Sequence, residues 1–259
     1  KNLPKVLMLG WEFPPIINGG LGVACHDLSA AMSELADLTM VVPRSSPGYK
    51  VNKVNLMGIN NIDINSLQAP GPAGLASLPF RLHQVPANLD PYFSPYGKKN
   101  QGGVEGFDID NLYGGDVIAK VHRFSDIISS LASTMEFDVV HAHDWMTMLA
   151  GVKIKQQTGK PLVMHIHSLE VDRAGEHSKG WVYDLEKKGM EYADLIMPVS
   201  NFTANNIQQH YGISSKKITV VHNGSTVVQP FKSERKFKEK MVLFVGRLTR
   251  QKCPEKFLD

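Results

Sequence analysis

The chain has 259 residues, 42% of them hydrophobic and 20% charged, with a net charge of +3; that is room for one large α/β domain or two small ones, with the balance of a globular protein. The charge is too mild, and basic runs too scarce, for a nucleic-acid-binding surface. Two cysteines, Cys25 and Cys253, stand in no metal or redox spacing and are expected as reduced thiols, and the first apolar run is too short for a signal peptide or a membrane span, so a cytoplasmic setting is expected.

In chain order, short Val/Ile/Leu-rich runs occur at 6–9, 38–42, 139–143, 162–167, 195–199, 218–222 and 241–245. They lack strict alternation, which is how strands buried on both faces read. Helical stretches are predicted between them. The first, 21–35, places Leu21, Ala24, Leu28, Ala31 and Leu35 on one face. Others are predicted at 112–135, 147–158, 182–191 and 202–211. Strand and helix in alternation predict an α/β fold, a doubly wound parallel sheet of Rossmann-like type. The Pro-, Gly- and Asn-rich stretch 45–101 is expected to hold short strands and loops. The domain boundaries expected are a first domain over 1–228, a charged linker over 229–240, and the opening strand and turn of a second domain over 241–259.

Three segments carry chemistry. Gly10-Trp-Glu-Phe-Pro-Pro-Ile-Ile-Asn-Gly19-Gly20-Leu-Gly22 follows the first strand and opens the first helix. Glycines there allow close backbone approach, and a helix start favours an anion such as a diphosphate; a tight turn that binds nothing is the bland alternative. The glycines do not fit the dinucleotide spacing. Next, His141-Ala-His143-Asp144-Trp145 ends one strand and His165-Ile-His167-Ser168 ends another. Each histidine pair shares a strand face at the carboxyl end, where open α/β sheets bind ligands. Imidazole and carboxylate suit hydrogen bonding to a polyhydroxylated substrate; with no further acidic cluster in support, no metal is expected. Finally, Gly246-Arg247-Leu-Thr-Arg-Gln-Lys252 offers a guanidinium and an ammonium to a departing phosphate, or two solvated surface charges.

In this order, these motifs resemble the retaining glycosyltransferases of family 4 and the related glycogen and starch synthases. The resemblance continues through Ala193-Asp-Leu-Ile-Met-Pro-Val-Ser200 and Val221-His-Asn223-Gly224 and covers nearly the whole chain. It implies a GT-B fold, two Rossmann-like domains facing across a cleft. The amino-terminal one lies mostly on the acceptor side and the carboxyl-terminal one mostly holds the nucleotide sugar. The implied reaction moves a hexosyl group from a UDP-, ADP- or GDP-linked sugar to a sugar or glycan acceptor, with no cofactor beyond that donor. By the same resemblance His167 sits at the reacting carbon with Asp144 beside it. Gly19 and Gly20 approach the donor diphosphate, and Arg247 and Lys252 grip it as it leaves. Ser200 and Asn223 match motif positions.

Some positions depart from the pattern. Ile17 stands where bacterial glycogen synthases carry lysine, Ser168 where they carry asparagine, and Cys253 where glycine follows the lysine. These favour a glycosyltransferase of open donor over a strict ADP-glucose enzyme. The acidic donor-site motif of the family is not among these residues, so the 259 residues alone are expected not to turn over. Two other classes remain: a non-catalytic carbohydrate-binding α/β domain, and a phosphorylase or isomerase of the same architecture.

Overall fold

The computed structural model describes residues 3–17, 19–62, 117–177, 179–224, 238–246 and 252–258. Six parallel strands form one sheet: β1 (Lys5–Leu9), β2 (Asp37–Val42), β3 (Asn55–Gly58), β4 (Val139–His143), β5 (Leu162–Ile166) and β6 (Leu195–Pro198). Their order is β3-β2-β1-β4-β5-β6. The chain therefore winds outward one way from β1 and the other way from β4. Parallel crossovers are right-handed, so the two halves place their helices on opposite faces. The reversal point lies between β1 and β4, where doubly wound sheets open a crevice for ligands.

Helix α1 (Gly20–Met32) joins β1 to β2; α2 (Val117–Ala132) precedes β4, α3 (Trp145–Thr158) joins β4 to β5, and α4 (Glu170–Ala174) and α5 (Trp181–Tyr192) lie between β5 and β6. Helix α6 (Asn201–Tyr211) follows β6, and a short α7 (Pro254–Leu258) lies near the end. None of the described helices is long and apolar enough to cross a membrane. On one face of the sheet, Leu7, Leu9, Val140, Ala142, Met164 and Ile166 pack in a large core with residues of α2, α3 and α5. On the other, Val6, Met8, Leu38, Met40 and Val42 pack with Cys25 of α1. The period of two along each strand thus assigns His141 and His143, flanking Ala142, to the α1 face.

Several boundaries differ from those read in sequence. Helix α1 stops at Met32, and Leu35 is 74% exposed. Its buried face is Gly22, Cys25 and Ser29, because a helix lying on a sheet needs small residues where the backbones approach. The run at 218–222 is not a strand. It follows β6 in parallel, with one bridge from Ile218 to Ile196 and bonds from Thr219 N to Ile196 O and Val221 N to Pro198 O. Residues 241–245 are not a strand either: Met241, Val242, Leu243 and Val245 are 68–83% exposed. A strand needs a partner edge, and none of the described residues supplies one. Within 45–101, one short strand, β3, and a 3-10 turn at Ile59–Asn61 are described; the rest of that stretch beyond residue 62, and residues 225–237, which hold most of the expected linker over 229–240, lie outside the described residues.

Candidate functional site

Beyond β1, the chain turns through Trp11, Glu12 and Phe13, all buried, before α1 begins. Gly19 caps α1 in an extended conformation without a side-chain bond, which leaves the first-turn N–H groups to be met from outside the helix. A Cβ built on Gly20 meets nothing within 4 Å, whereas one on Gly22 would lie 2.4 Å from Ile17 Cγ2. The two glycines therefore answer different needs. Gly22 lets α1 close on the β1 turn, and Gly20 leaves open space at the helix start.

The two histidine pairs meet. β4 and β5 are registered so that His143 lies opposite His165, and the four rings form one stack. Ring centroids are 4.5 Å apart for His141 and His143, 5.0 Å for His143 and His165, and 4.6 Å for His165 and His167. His141 Nε2 and His165 Nδ1 share a hydrogen bond of 3.2 Å, and His143 Nδ1 and His167 Nε2 one of 2.9 Å. Nε2 of His143 and Nε2 of His165 are buried with no hydrogen-bond partner among the described residues. His141, His143 and His165 are buried and His167 is half-buried at the open end of the row.

Burial removes the water that would solvate an imidazolium, and each ring repels charge on its neighbours. His141 and His165 are lowered to about 3 and His167 to about 4, while His143 is held well below the usual imidazole value. All four are neutral at pH 7. Each then has one donor and one bare lone pair.

Asp144 lies at the turn from β4 into α3 with φ 56° and ψ 173°, a region almost reserved for glycine that costs about 1–3 kcal/mol. Its Oδ1 accepts the backbone N–H of His167 at 2.7 Å and of Ser168 at 3.3 Å. Burial raises its carboxyl to about 6, against the lowering effects of Arg173 and these N–H groups. The carboxylate thus ties the end of β4 to the loop carrying His167, and its atoms are turned to that loop's backbone.

The stretch after His167 leads into a short helix. Residues 170–174 form α4, with Glu170 and Arg173 buried. Arg173 donates from Nε to Glu170 at 3.1 Å, from Nη1 to Ser168 Oγ at 2.7 Å and from Nη2 to Glu186 at 2.6 Å. Glu186 also accepts the Glu170 N–H and the Tyr211 hydroxyl. With two buried carboxyls around one guanidinium, burial pushes Glu186 up to about 7. Sequence reading missed this cluster because alternating charges usually mark solvent. The spacing of Glu170 and Arg173, one helical turn apart, was the available signal.

Cys25 of α1 lies against the imidazole row. It is fully buried, and burial, then Asp144 and Glu12, push its thiol well up. It offers a ligand atom within 4.8 Å of ligand atoms of His143 and His167, and His141, His143 and His165 form a second such trio. The helical spacing of Gly22, Cys25 and Ser29 could have placed it on the sheet-facing side.

Of the other predicted residues, Ser200 caps α6, its Oγ accepting Thr203 N–H at 3.0 Å. Asn223 lines a groove of about 250 Å³ with Ala24, Asp27, Leu28, His222 and His165. Lys252 is exposed, and Arg247 lies outside the described residues.

Residues 5–219 match the family described as the starch synthase catalytic domain. The chain is 24% identical over 96% of its length to an uncharacterized glycosyltransferase of Methanocaldococcus jannaschii, covering 56% of it. It is 25% identical over 96% of its length to a glycogen synthase of Mycobacterium tuberculosis, covering 55% of that protein. The chain therefore spans about half the length of these relatives. Among solved structures, the starch synthase IV catalytic domain from Arabidopsis thaliana, bound to ADP and acarbose, superposes with a TM-score of 0.53 at 15% identity, over 86% of this chain and 52% of that one. A sucrose-phosphate synthase from Thermosynechococcus elongatus superposes at 0.54 with 12% identity, over 86% of this chain and 48% of that one. The fold is thus that of one Rossmann-like half of a GT-B enzyme, and with the family matched across more than four-fifths of its residues, this chain belongs to the starch synthase catalytic-domain family of glycosyltransferases.

Proposed function

We propose that the protein is a retaining glycosyltransferase that moves a hexosyl group from a UDP-, ADP- or GDP-linked sugar to a sugar or glycan acceptor. The family match over residues 5–219 supports transfer. The observation that carries the site is the half-buried, neutral His167 at the end of the imidazole row, held by Asp144. Retention without a protein nucleophile requires positive charge to build at the sugar carbon while negative charge builds on the leaving diphosphate. A neutral imidazole beside that carbon hydrogen-bonds a sugar hydroxyl without opposing the positive charge. The open start of α1 at Gly19 and Gly20 offers N–H groups and a helix dipole to the diphosphate, and the family resemblance assigns Arg247 and Lys252 to the same group. Asp144 acts through His167 as a positioning residue. A cytoplasmic setting accords with use of a nucleotide sugar.

A panel of nucleotide sugars supplied to the full-length protein with oligosaccharide acceptors tests this reading. One donor is expected to support transfer with retained anomeric configuration, and His167→Ala is expected to lower kcat by about a hundredfold or more, the scale of losing one transition-state contact. Wild-type turnover in His167→Ala would overturn the site, and hydrolysis or phosphorolysis alone would overturn the reaction.

A further inference from the structure

Glu186 of α5 is completely buried, and its carboxylate joins two other helices. Oε1 and Oε2 accept the Glu170 N–H at 3.1 and 2.9 Å, Oε1 accepts Nη2 of Arg173 at 2.6 Å, and Oε2 accepts the Tyr211 hydroxyl. Tyr211 of α6 is itself buried, with its ring stacked on Tyr183 of α5 at a centroid distance of 4.7 Å. The Tyr183 hydroxyl in turn donates to the His210 carbonyl at 2.6 Å. Helices α5 and α6 thus hold this carboxylate in place without help from α4.

Helix α4 has five residues, well short of the roughly 12–15 at which an isolated helix begins to hold its shape. Its placement comes from contacts outside itself. On the buried side these are the Glu170 N–H and the Arg173 guanidinium on Glu186. On the other side, Asp172 accepts the Leu169 N–H through Oδ2 at 3.2 Å and the Asn206 amide of α6 through Oδ1 at 2.9 Å. The chain enters α4 directly from His167. Arg173 Nη1 donates to Ser168 Oγ, and the N–H groups of Ser168 and His167 share Asp144 Oδ1. A buried ion pair adds little net stability over apolar residues of the same volume. Stability alone therefore does not account for three buried charges beside this loop, whereas fixing one arrangement of the loop does.

We infer that Glu186 is a positioning residue for glycosyl transfer: from α5 it sets α4 and Arg173, and through Ser168 it aims the loop that carries His167. The inference rests on the transferase reading above. Tyr211 supports Glu186 from behind, so the link runs from α6 through Glu186, Arg173 and Ser168 to the open end of the imidazole row. Glu186 acts on the reaction only through this link. Misplacing a reacting group by about an ångström costs about a hundredfold in rate. The diphosphate is held elsewhere, at the start of α1, so the loss falls on kcat more than on KM.

Glu186→Gln keeps the volume but turns an amide N–H2 toward groups that already donate. In the full-length protein it is expected to lower kcat by about ten- to a hundredfold, with KM for the nucleotide sugar little changed. Tyr211→Phe removes one bond to the same carboxylate and is expected to act in the same direction by a smaller factor. Lys155→Met is the control. Lys155 bonds the Tyr192 carbonyl and Asp194 at 2.9 and 2.8 Å, and Asp194 holds the Leu162 N–H at the opposite end of β5 from His167. Its loss is expected to lower Tm and leave kcat at the wild-type value. Amide hydrogen exchange reads the loop without any assay of activity. Glu186→Gln is expected to speed exchange at residues 167–170 by about tenfold, the scale of one lost hydrogen bond, and to leave β1 unchanged. Wild-type kcat in folded Glu186→Gln and Tyr211→Phe, or a loss of kcat shared by Lys155→Met at equal stability, would overturn the positioning role. A protein whose loop exchange responds to Glu186→Gln but that transfers from no donor would overturn the proposed function and leave the link from Glu186 to the loop standing.

Discussion

The carboxylate of Asp144 accepts the backbone N–H of His167 at 2.7 Å, joining the end of β4 to the loop that follows β5. Asp144 holds a backbone conformation that costs energy, and that bond, with the one from Ser168 N, is what holds it there. Asp144→Asn keeps a carbonyl oxygen for these N–H groups and is close in shape to the protonated acid. It is expected to change stability by under about 1 kcal/mol. Asp144→Ala leaves the N–H groups without an acceptor and is expected to cost about 1–3 kcal/mol. It is also expected to lower kcat more than it raises KM, because it loosens His167. Thermal unfolding and steady-state kinetics of both variants check this. Equal behaviour of the two would remove the oxygen as the reason for Asp144.

Gly20 and Gly22, two residues apart in α1, are expected to respond in opposite ways to alanine. Gly22→Ala drives a methyl to 2.4 Å from Ile17 Cγ2, with Glu12 Cγ 3.3 Å away, and overpacking of this kind costs about 1–3 kcal/mol. Gly20→Ala meets nothing within 4 Å and is expected to leave Tm unchanged or raise it. Its effect falls on binding: a methyl at the helix start obstructs a diphosphate, so KM for the nucleotide sugar rises. Calorimetry and a donor titration separate the two. A destabilised Gly20→Ala with unaltered KM would contradict the open helix start.

The imidazole row makes the protein acid-labile. In the fold, His141 and His165 take a proton only near about 3 and His167 near about 4, against an ordinary 6.5. As pH falls below 6.5 the unfolded chain takes up protons first, so stability is full above that value and lost as pH falls toward 4. Two acids act in the other direction. Asp144 at about 6 and Glu186 at about 7 hold protons in the fold that the unfolded chain gives up, and so favour the folded state on acidification. One pKa unit is worth about 1.4 kcal/mol, and four depressed imidazoles outweigh two raised carboxyls. A fall in Tm between pH 7 and 5 is expected. A Tm that stays level over that range would mean the rings are solvated.

How much of this was legible in sequence depends on whether the signal was local. Strands β4 and β5 were, because the runs ending in His141-Ala-His143 and His165-Ile-His167 are short, apolar and bounded. The pairing of those histidines was half legible. Period two put each pair on one face, but only the register that sets His143 against His165 stacks the four rings. The place of Cys25 beside the row was not legible: it lies on a helix more than a hundred residues from His143, and only the packing of α1 on the sheet brings them together. The ion-paired cluster around Arg173 was not legible, because charge alternation in a short segment has the same appearance whether the charges face water or one another. The run 241–245 shows the converse error. Apolar composition alone suggested a strand, and a strand without a neighbouring edge does not form.

Arg173 supplies the sharpest test of that buried cluster. Its guanidinium bonds Glu170, Glu186 and Ser168 at 2.6–3.1 Å, and Ser168 adjoins His167. Arg173→Met fills similar volume but leaves two buried carboxyls without a cation, and removing one partner of a buried pair costs about 3–5 kcal/mol. Arg173→Lys keeps the charge and loses the fork that spans three acceptors, so an intermediate loss is expected. The double variant Arg173→Met with Glu186→Leu removes one of the two carboxyls together with the cation and leaves Glu170. It is expected to recover part of the stability and little of the activity, because Ser168 still lacks its donor. Unfolding free energies and kcat for the three proteins decide the matter. Activity that returns in step with stability would mean that Arg173 acts only on the fold, and not on the loop that aims His167.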